Sequence, residues 1–272
     1  MKQAQDPVER RAGLTAEEFG RDYLERNRPV VLTDEVVRWP AYERWSREYL
    51  VERFGDRPVD ADVHADGMHT GHHVVKRRTT LKEILEPSPD APRLRSLVVH
   101  VHTLAPYLIP EFSLPSVVAP TQVSGVGFWI KPRGTTSGLH FDHQNGLLGV
   151  VRGRKRVLLF SPDQVEPMYP CPIRQLDDEL KRNWSAVRDI FNPDYERFPR
   201  LADAVCHEVV LEAGEMLFIP KFWWHAVDHD AELTLSVNFF LEVTPSDAFP
   251  VFYQDRVFIE RLLVALGGGG GQ

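Results

Sequence analysis

From about Thr121 onward the chain is cut into short runs of β-branched and aromatic residues separated by turn residues, the texture of a β-sandwich or jelly roll. The strands expected are Val126 to Ile130, Leu147 to Val151, Arg156 to Phe160, Glu208 to Leu211, Glu215 to Ile219 and Leu233 to Leu241. Arg152-Gly153 falls between two of them as a tight hairpin turn. Pro162 to Pro199, rich in proline and acidic residues, reads as a long insertion with one helical piece, and such segments in a compact domain are more often lids than filler.

The first part of the chain mixes helix and strand. Thr15 and Glu18 have capping-box spacing, and Phe19, Tyr23 and Leu24 recur at helical intervals, so a helix is expected from about Ala16 to Arg26. Val30 to Leu32 reads as a short buried strand. Trp39-Pro40 opens a second helical stretch with Trp45, Tyr49, Leu50 and Phe54, stopped by Gly55, and Thr80 to Glu86 reads as a third, short helix. The expected organisation is a polar tail over residues 1–12, one domain over 13–245 with its β core from about 121, a helix over 246–266 and a glycine-rich tail over 267–272.

Chemistry enters with His140 and Asp142. Residues two apart on a strand project to one side, so both can reach one ion while Phe141 faces away. His64 and Asp66 repeat the spacing, but in a polar, glycine-containing stretch with His69, His72 and His73 that reads as a surface loop. The pair at 140 and 142 gains weight from His225, which follows the apolar run Met216 to Ile219 and Pro220 to Trp224. Two histidines and one carboxylate leave coordination positions open, as in non-haem Fe(II) oxygenases, whereas zinc is expected to take more nitrogen or sulfur ligands. The competing reading of His225 is a core histidine beside two tryptophans.

Lys155 is a third element. A 2-oxo acid that chelates iron at one end leaves a far carboxylate in need of a cation; a lysine after the hairpin can point inward while Arg154 and Arg156 point outward. The competing reading is a solvated basic hairpin. Thr234, Ser236 and Asn238 alternate with Leu233, Leu235 and Val237, and a polar face on so apolar a strand suggests the wall of a wet pocket.

Charge and composition narrow the partners. A net charge of −7 argues against a broad nucleic-acid-binding face, and the basic clusters Lys76 to Arg78 and Arg152 to Arg156 are short enough to be solvated turns. The N-terminus lacks the apolar stretch of a secretory signal and Val257 to Leu266 is too short to span a bilayer, so a cytoplasmic protein without membrane contact is expected. Cys171 and Cys206 read as free buried thiols.

Taken together, Arg28 to Leu32 with Trp39-Pro40, Leu139-His140-Phe141-Asp142, Gly153 to Val157, Gly214-Glu215 to Pro220, and Trp223-Trp224-His225 resemble the Jumonji-C oxygenases. Within that family the chain looks most like the asparaginyl hydroxylase that inhibits hypoxia-inducible factor, through Phe160 to Gln164, Tyr169 to Pro172 and above all Asn192 to Pro199. The resemblance implies a mainly β fold, a cupin-like double-stranded β-helix with an N-terminal helical and strand elaboration and a C-terminal helix. It implies Fe(II) on His140, Asp142 and His225, with Lys155 pairing the far carboxylate of 2-oxoglutarate and Ser137, Thr136 and Asn238 nearby. The family's asparagine, usually six residues after the first ligand, is here Gly146, with Asn145 one position early. A family tyrosine near Val98 to Thr103 is absent, leaving His100 or His102 as substitutes.

The reaction so implied consumes O2 and 2-oxoglutarate, yields succinate and CO2, and hydroxylates an Asn, Asp or His side chain of a protein or peptide. The alternatives are a modified RNA nucleoside or small metabolite as substrate, or a cupin-like binding protein without turnover. The final helix, roughly Asp247 to Leu266, is apolar enough that pairing with a second copy is expected, as in that hydroxylase.

Overall fold

The structure is a computed structural model that describes residues 1–63, 68–69, 75–86, 97–100, 106–132, 135–171, 183–229 and 231–241. In chain order the strands begin with β1 (Lys2–Gln3), β2 (Glu9–Arg11), β3 (Val30–Leu32), β4 (Pro58–Val63), β5 (Met68–His69), β6 (Val75–Thr80) and β7 (Leu97–His100). They continue with β8 (Val123–Pro132), β9 (Thr135–Phe141), β10 (Asn145–Arg152) and β11 (Arg154–Phe160). The last four are β12 (Val205–Glu212), β13 (Met216–Ile219), β14 (Trp224–His229) and β15 (Leu233–Leu241). One sheet has the order β1-β12-β11-β14-β9-β5 and the other β2-β3-β13-β10-β15-β8-β7, while β4 and β6 form a separate ribbon. This is the jelly roll expected from the strand pattern.

Three apolar layers hold the sheets. Val31, Leu148, Val157, Leu159, Leu217 and Val227 interleave between them. Leu147, Phe128, Phe218 and Phe239 leave the opposite face of the larger sheet and pack under the N-terminal helices with Phe19, Trp39 and Trp45. Leu158, Phe160 and Trp224 leave the opposite face of the smaller sheet and pack under the 161–203 segment with Met168, Ile190 and Leu201. Strands covered on both faces read as unbroken apolar runs, which is why the core strands stand out in the sequence. The helical layer sits so close that a Cβ on Gly149 would come within 2.9 Å of Val36 and 3.0 Å of Trp39. Gly153 turns the β10–β11 hairpin with φ +80°, a conformation that favours glycine.

The helices differ in detail from the expectation. Helix α1 (Ala16–Phe19) carries the full Thr15/Glu18 capping box and then widens into a π-helical segment over Gly20–Leu24. The second stretch divides into α2 (Pro40–Arg44) and α3 (Arg47–Phe54), because the Ser46 hydroxyl accepts from the Tyr49 amide and starts a new helix. Helix α4 (Leu81–Leu85) falls within the expected third helix, with Thr80 as its cap rather than its first turn. Residues 1–12 contain two strands rather than a plain tail: β1 lies parallel to β12, Lys2 opposite Val205, and β2 lies parallel to β3. Among the described residues no helix is long and apolar enough to cross a membrane, and Cys171 and Cys206 are free and buried. His64, Asp66, His72, His73, His102 and the segment 247–266 lie outside the described residues, as does 172–182 of the insertion.

Candidate metal centre and its cavity

Strands β9 and β14 run antiparallel in the smaller sheet, with His225 directly opposite His140. His225 follows the apolar strand β13 as expected and lies inside β14, a strand of its own after the turn at 220–223. Between these partners the register shifts, since His225 faces His140 but Val227 faces Ser137, so β9 takes three steps where β14 takes two. That bulge reverses the facing of β9, and it is why Ser137 and His140, which differ by an odd number of positions, both reach the space between the sheets. Asp142 lies one residue past the end of β9, where its carbonyl accepts from the Phe222 amide at 2.8 Å.

Each histidine is oriented by its own backbone. His140 Nδ1 lies 2.8 Å from the Gly138 carbonyl and His225 Nδ1 lies 3.0 Å from that of Trp223. An Nδ1–H donating to those carbonyls leaves both Nε2 lone pairs directed at Asp142, whose Oδ1 is 4.0 Å from His140 Nε2 and whose Oδ2 is 3.8 Å from His225 Nε2. One ligand atom from each of the three lies within 4.8 Å of the others, the only such group of His, Cys, Asp or Glu among the described residues. Burial first, then the neighbouring His225, pushes the His140 imidazole down to about 4, the neutral form that binds metals. Two neutral nitrogens and one carboxylate fit Fe(II) with open positions.

These three side chains open onto a cavity of about 180 Å³ between the two sheets, far larger than the roughly 10–15 Å³ that admits one water. Lys155 reaches it from β11 with only 3% of its surface exposed, its Nζ 3.5 Å from His229 Nδ1 on β14. Arg154 and Arg156 point outward as expected, Arg156 pairing Glu208 at 2.7 Å. Ser137 and Asn238 line the cavity, both buried. Thr136 lies next to the lining and does not contribute to it. Asn145 is a correction: its Oδ1 accepts from the Lys221 amide at 2.9 Å, and Gly146, one step along the pleat, is the residue that faces the cavity.

The sequence reading missed Lys131 and Trp129 on β8, His229 on β14 and Asn183 in the insertion, all of which line the cavity. His229 had a signal, since 225, 227 and 229 share one strand face. The insertion returns along the edge of β9, where Trp184 bridges His140 and stacks on its ring at 4.3 Å and 12°.

Lys155 is pushed well below its ordinary value of 10.5 by burial and then by Lys131, and His229 is pushed below 6.5 by burial, then by Lys155 and Lys131. In both cases the unfolded chain binds more protons than the folded one between the lowered and the ordinary value, so stability rises with pH across that window. The melting temperature of the metal-free protein is expected to rise from about pH 6 to about pH 9, and Lys155→Met to flatten the rise. Parallel curves for the two proteins would contradict this origin.

Residues 15–247 match the family described as a cupin-like domain. The chain is 30% identical over 229 residues to lysine-specific demethylase 8 of Xenopus tropicalis, covering 82% of this chain and 50% of that protein. It is 30% identical over 243 residues to lysine-specific demethylase JMJ30 of Arabidopsis thaliana, covering 85% and 54%. It is also 29% identical over 258 residues to tRNA wybutosine-synthesizing protein 5 of Gallus gallus, covering 87% and 77%. The chain thus spans about half the length of these demethylases. With two sheets enclosing an internal His-Asp-His group, and a family match over most of its length, the chain belongs to the cupin-like family of Jumonji-C domain proteins.

Proposed function

We propose that this protein is an Fe(II)- and 2-oxoglutarate-dependent oxygenase that hydroxylates an Asn, Asp or His side chain of a protein or peptide. The observation that carries the reading is the placement of His140, Asp142 and His225 on the same cavity as a buried lysine, Lys155. His140, Asp142 and His225 would hold the ion, which when bound supplies the activation of O2 coupled to oxidation of 2-oxoglutarate. Lys155 pairs with the far carboxylate of that acid and so fixes which end faces the metal. Ser137 and Asn238 offer a hydroxyl and an amide along its length. Trp184, stacked on His140, keeps bulk water off one side of the ligand set. The segment Asn192 to Pro199 supports the finer likeness to an asparaginyl hydroxylase.

An RNA nucleoside is the second reading, favoured by the match to a tRNA wybutosine-synthesizing protein over 77% of its length. The net charge of −7 weighs against it. The test is succinate formation from 2-oxoglutarate with Fe(II), in the presence of a peptide library or total tRNA, with mass spectrometry of both. A gain of one oxygen on a peptide side chain is the expected result. Formaldehyde release with loss of a methyl group, or oxidation confined to RNA, would replace the proposed substrate, and absence of any turnover would leave a binding protein.

A further inference from the structure

Two glycines of the larger sheet are not required by the fold. Gly125 on β8 and Gly146 on β10 lie within regular strands, and neither has the positive φ of Gly13, Gly153 or Gly214. A Cβ on Gly125 would lie 4.0 Å from the Phe240 ring and one on Gly146 would lie 3.4 Å from Asn238 Oδ1, both ordinary contacts. Gly149, three residues along β10, is the contrast, since there Val36 and Trp39 already fill the space. Glycine inside a strand costs stability. Where neither backbone nor packing asks for it, it marks a place that a ligand or another backbone approaches closely.

The register shows what stands between them. Phe240 on β15 is directly opposite Gly125 on one neighbouring strand and Gly146 on the other. Phe240 and Gly146 both line the cavity, and Gly125 keeps the phase of Trp129, which lines it too. The Phe240 ring is half-buried, and among the described residues no other ring packs on it, whereas Phe239 packs against Trp39 and Phe112. Its backbone is held, because the Ser124 hydroxyl donates to the Phe240 carbonyl at 3.1 Å and the Gln144 amide donates to Ser124 at 2.7 Å. One fixed ring in a clearing thus forms part of the wall opposite the sheet that carries His140 and His225.

We propose that Phe240, in the clearing left by Gly125 and Gly146, seats the side chain to be hydroxylated and selects a flat, uncharged group, an asparagine amide or histidine imidazole, over an aspartate carboxylate. Planar groups stack on a ring, but the ring face is the negative side of its quadrupole and repels a carboxylate. The glycines let an extended peptide backbone pass beside the ring. This inference rests on the reading of the protein as a peptide side-chain oxygenase and narrows its substrate class.

The test immobilises the full-length protein loaded with Co(II) and exposes it to peptide libraries with randomised flanks around a fixed Asn, His, Asp or Leu. Mass spectrometry reads what is retained. The wild type is expected to retain Asn and His peptides above Asp and Leu peptides. Phe240→Leu, which keeps apolar volume without the flat ring, should lower retention of Asn and His peptides about 2- to 10-fold, the range of one ring stack, and Phe240→Trp should preserve it. Gly125→Val should weaken retention of every peptide yet leave the melting temperature equal or higher, because valine suits a strand better than glycine. Equal retention of Asn and Asp peptides by the wild type, no effect of Phe240→Leu, or a melting temperature lowered by Gly125→Val overturns the proposal. If the wild type with Fe(II) and 2-oxoglutarate oxidises tRNA and no peptide, the function proposed above falls and the inference falls with it. If it oxidises peptides and both variants retain them as the wild type does, the inference alone is lost.

Discussion

Asp142→Ala is expected to lower Fe(II) affinity by more than the roughly 10- to 100-fold that follows loss of a residue merely supporting a ligand, and to abolish 2-oxoglutarate turnover with it. The aspartate supplies the only negative charge among the cavity-lining residues, 3.8 and 4.0 Å from the two imidazoles. Without it, two neutral nitrogens must hold a dication in a cavity that also contains Lys131 and Lys155. The variant is also a clean one. The Asp142 side chain is 36% exposed, so removing it opens no core void, whereas His225 is buried and its loss would mix metal binding with packing. Co(II) titration followed by its absorption bands is the measurement, with melting temperature as the control for folding. Wild-type affinity in Asp142→Ala, or loss of metal only when His64 is changed, would put the ion elsewhere.

The second large effect falls on the co-substrate. Lys155→Ala is expected to weaken 2-oxoglutarate binding to the Fe(II)-loaded protein by about 3–5 kcal/mol, roughly 100- to 4,000-fold, because one member of an enclosed charge pair is stranded when the other is removed. Metal binding should be unchanged, since no ligand atom is disturbed. Calorimetric titration decides: an unaltered Kd rejects the pairing, and a loss of iron along with the acid indicates a collapsed cavity rather than a missing cation.

The core strands were legible because burial on both faces writes itself as continuous hydrophobicity, and His140, Asp142 and His225, picked out by spacing and context, lie together in the fold. Leu233–Leu241 has the expected bounds, and its Thr234, Ser236 and Asn238 face is buried, with Asn238 on the cavity. What escaped the reading depends on phase. The bulge in β9 has no sequence mark, and only it brings Ser137 and His140 to one side. Asn145 and Gly146 are separated by a single step of the pleat, which spacing counted from His140 cannot resolve across the turn. Lys131 was passed over because one lysine between Ile130 and Pro132 looks like the exposed end of a strand. Strands β1 and β2 were missed for the opposite reason: Lys2, Gln3, Glu9 and Arg10 are polar, and edge strands are recognised by backbone pairing rather than by side chains.

Those two edge strands impose an order of events on a chain that is made from one end. Lys2 cannot meet Val205 until about two hundred further residues have been added, roughly 10 to 40 seconds at about 5–20 residues per second. For that interval β1 is without its partner, an open template for any neighbouring chain, and β2 has only β3 beside it. Lysine, glutamine, glutamate and arginine at these positions keep the waiting segment hydrated and mutually repelling, so its polarity guards the nascent protein against aggregation before the sheet exists to receive it.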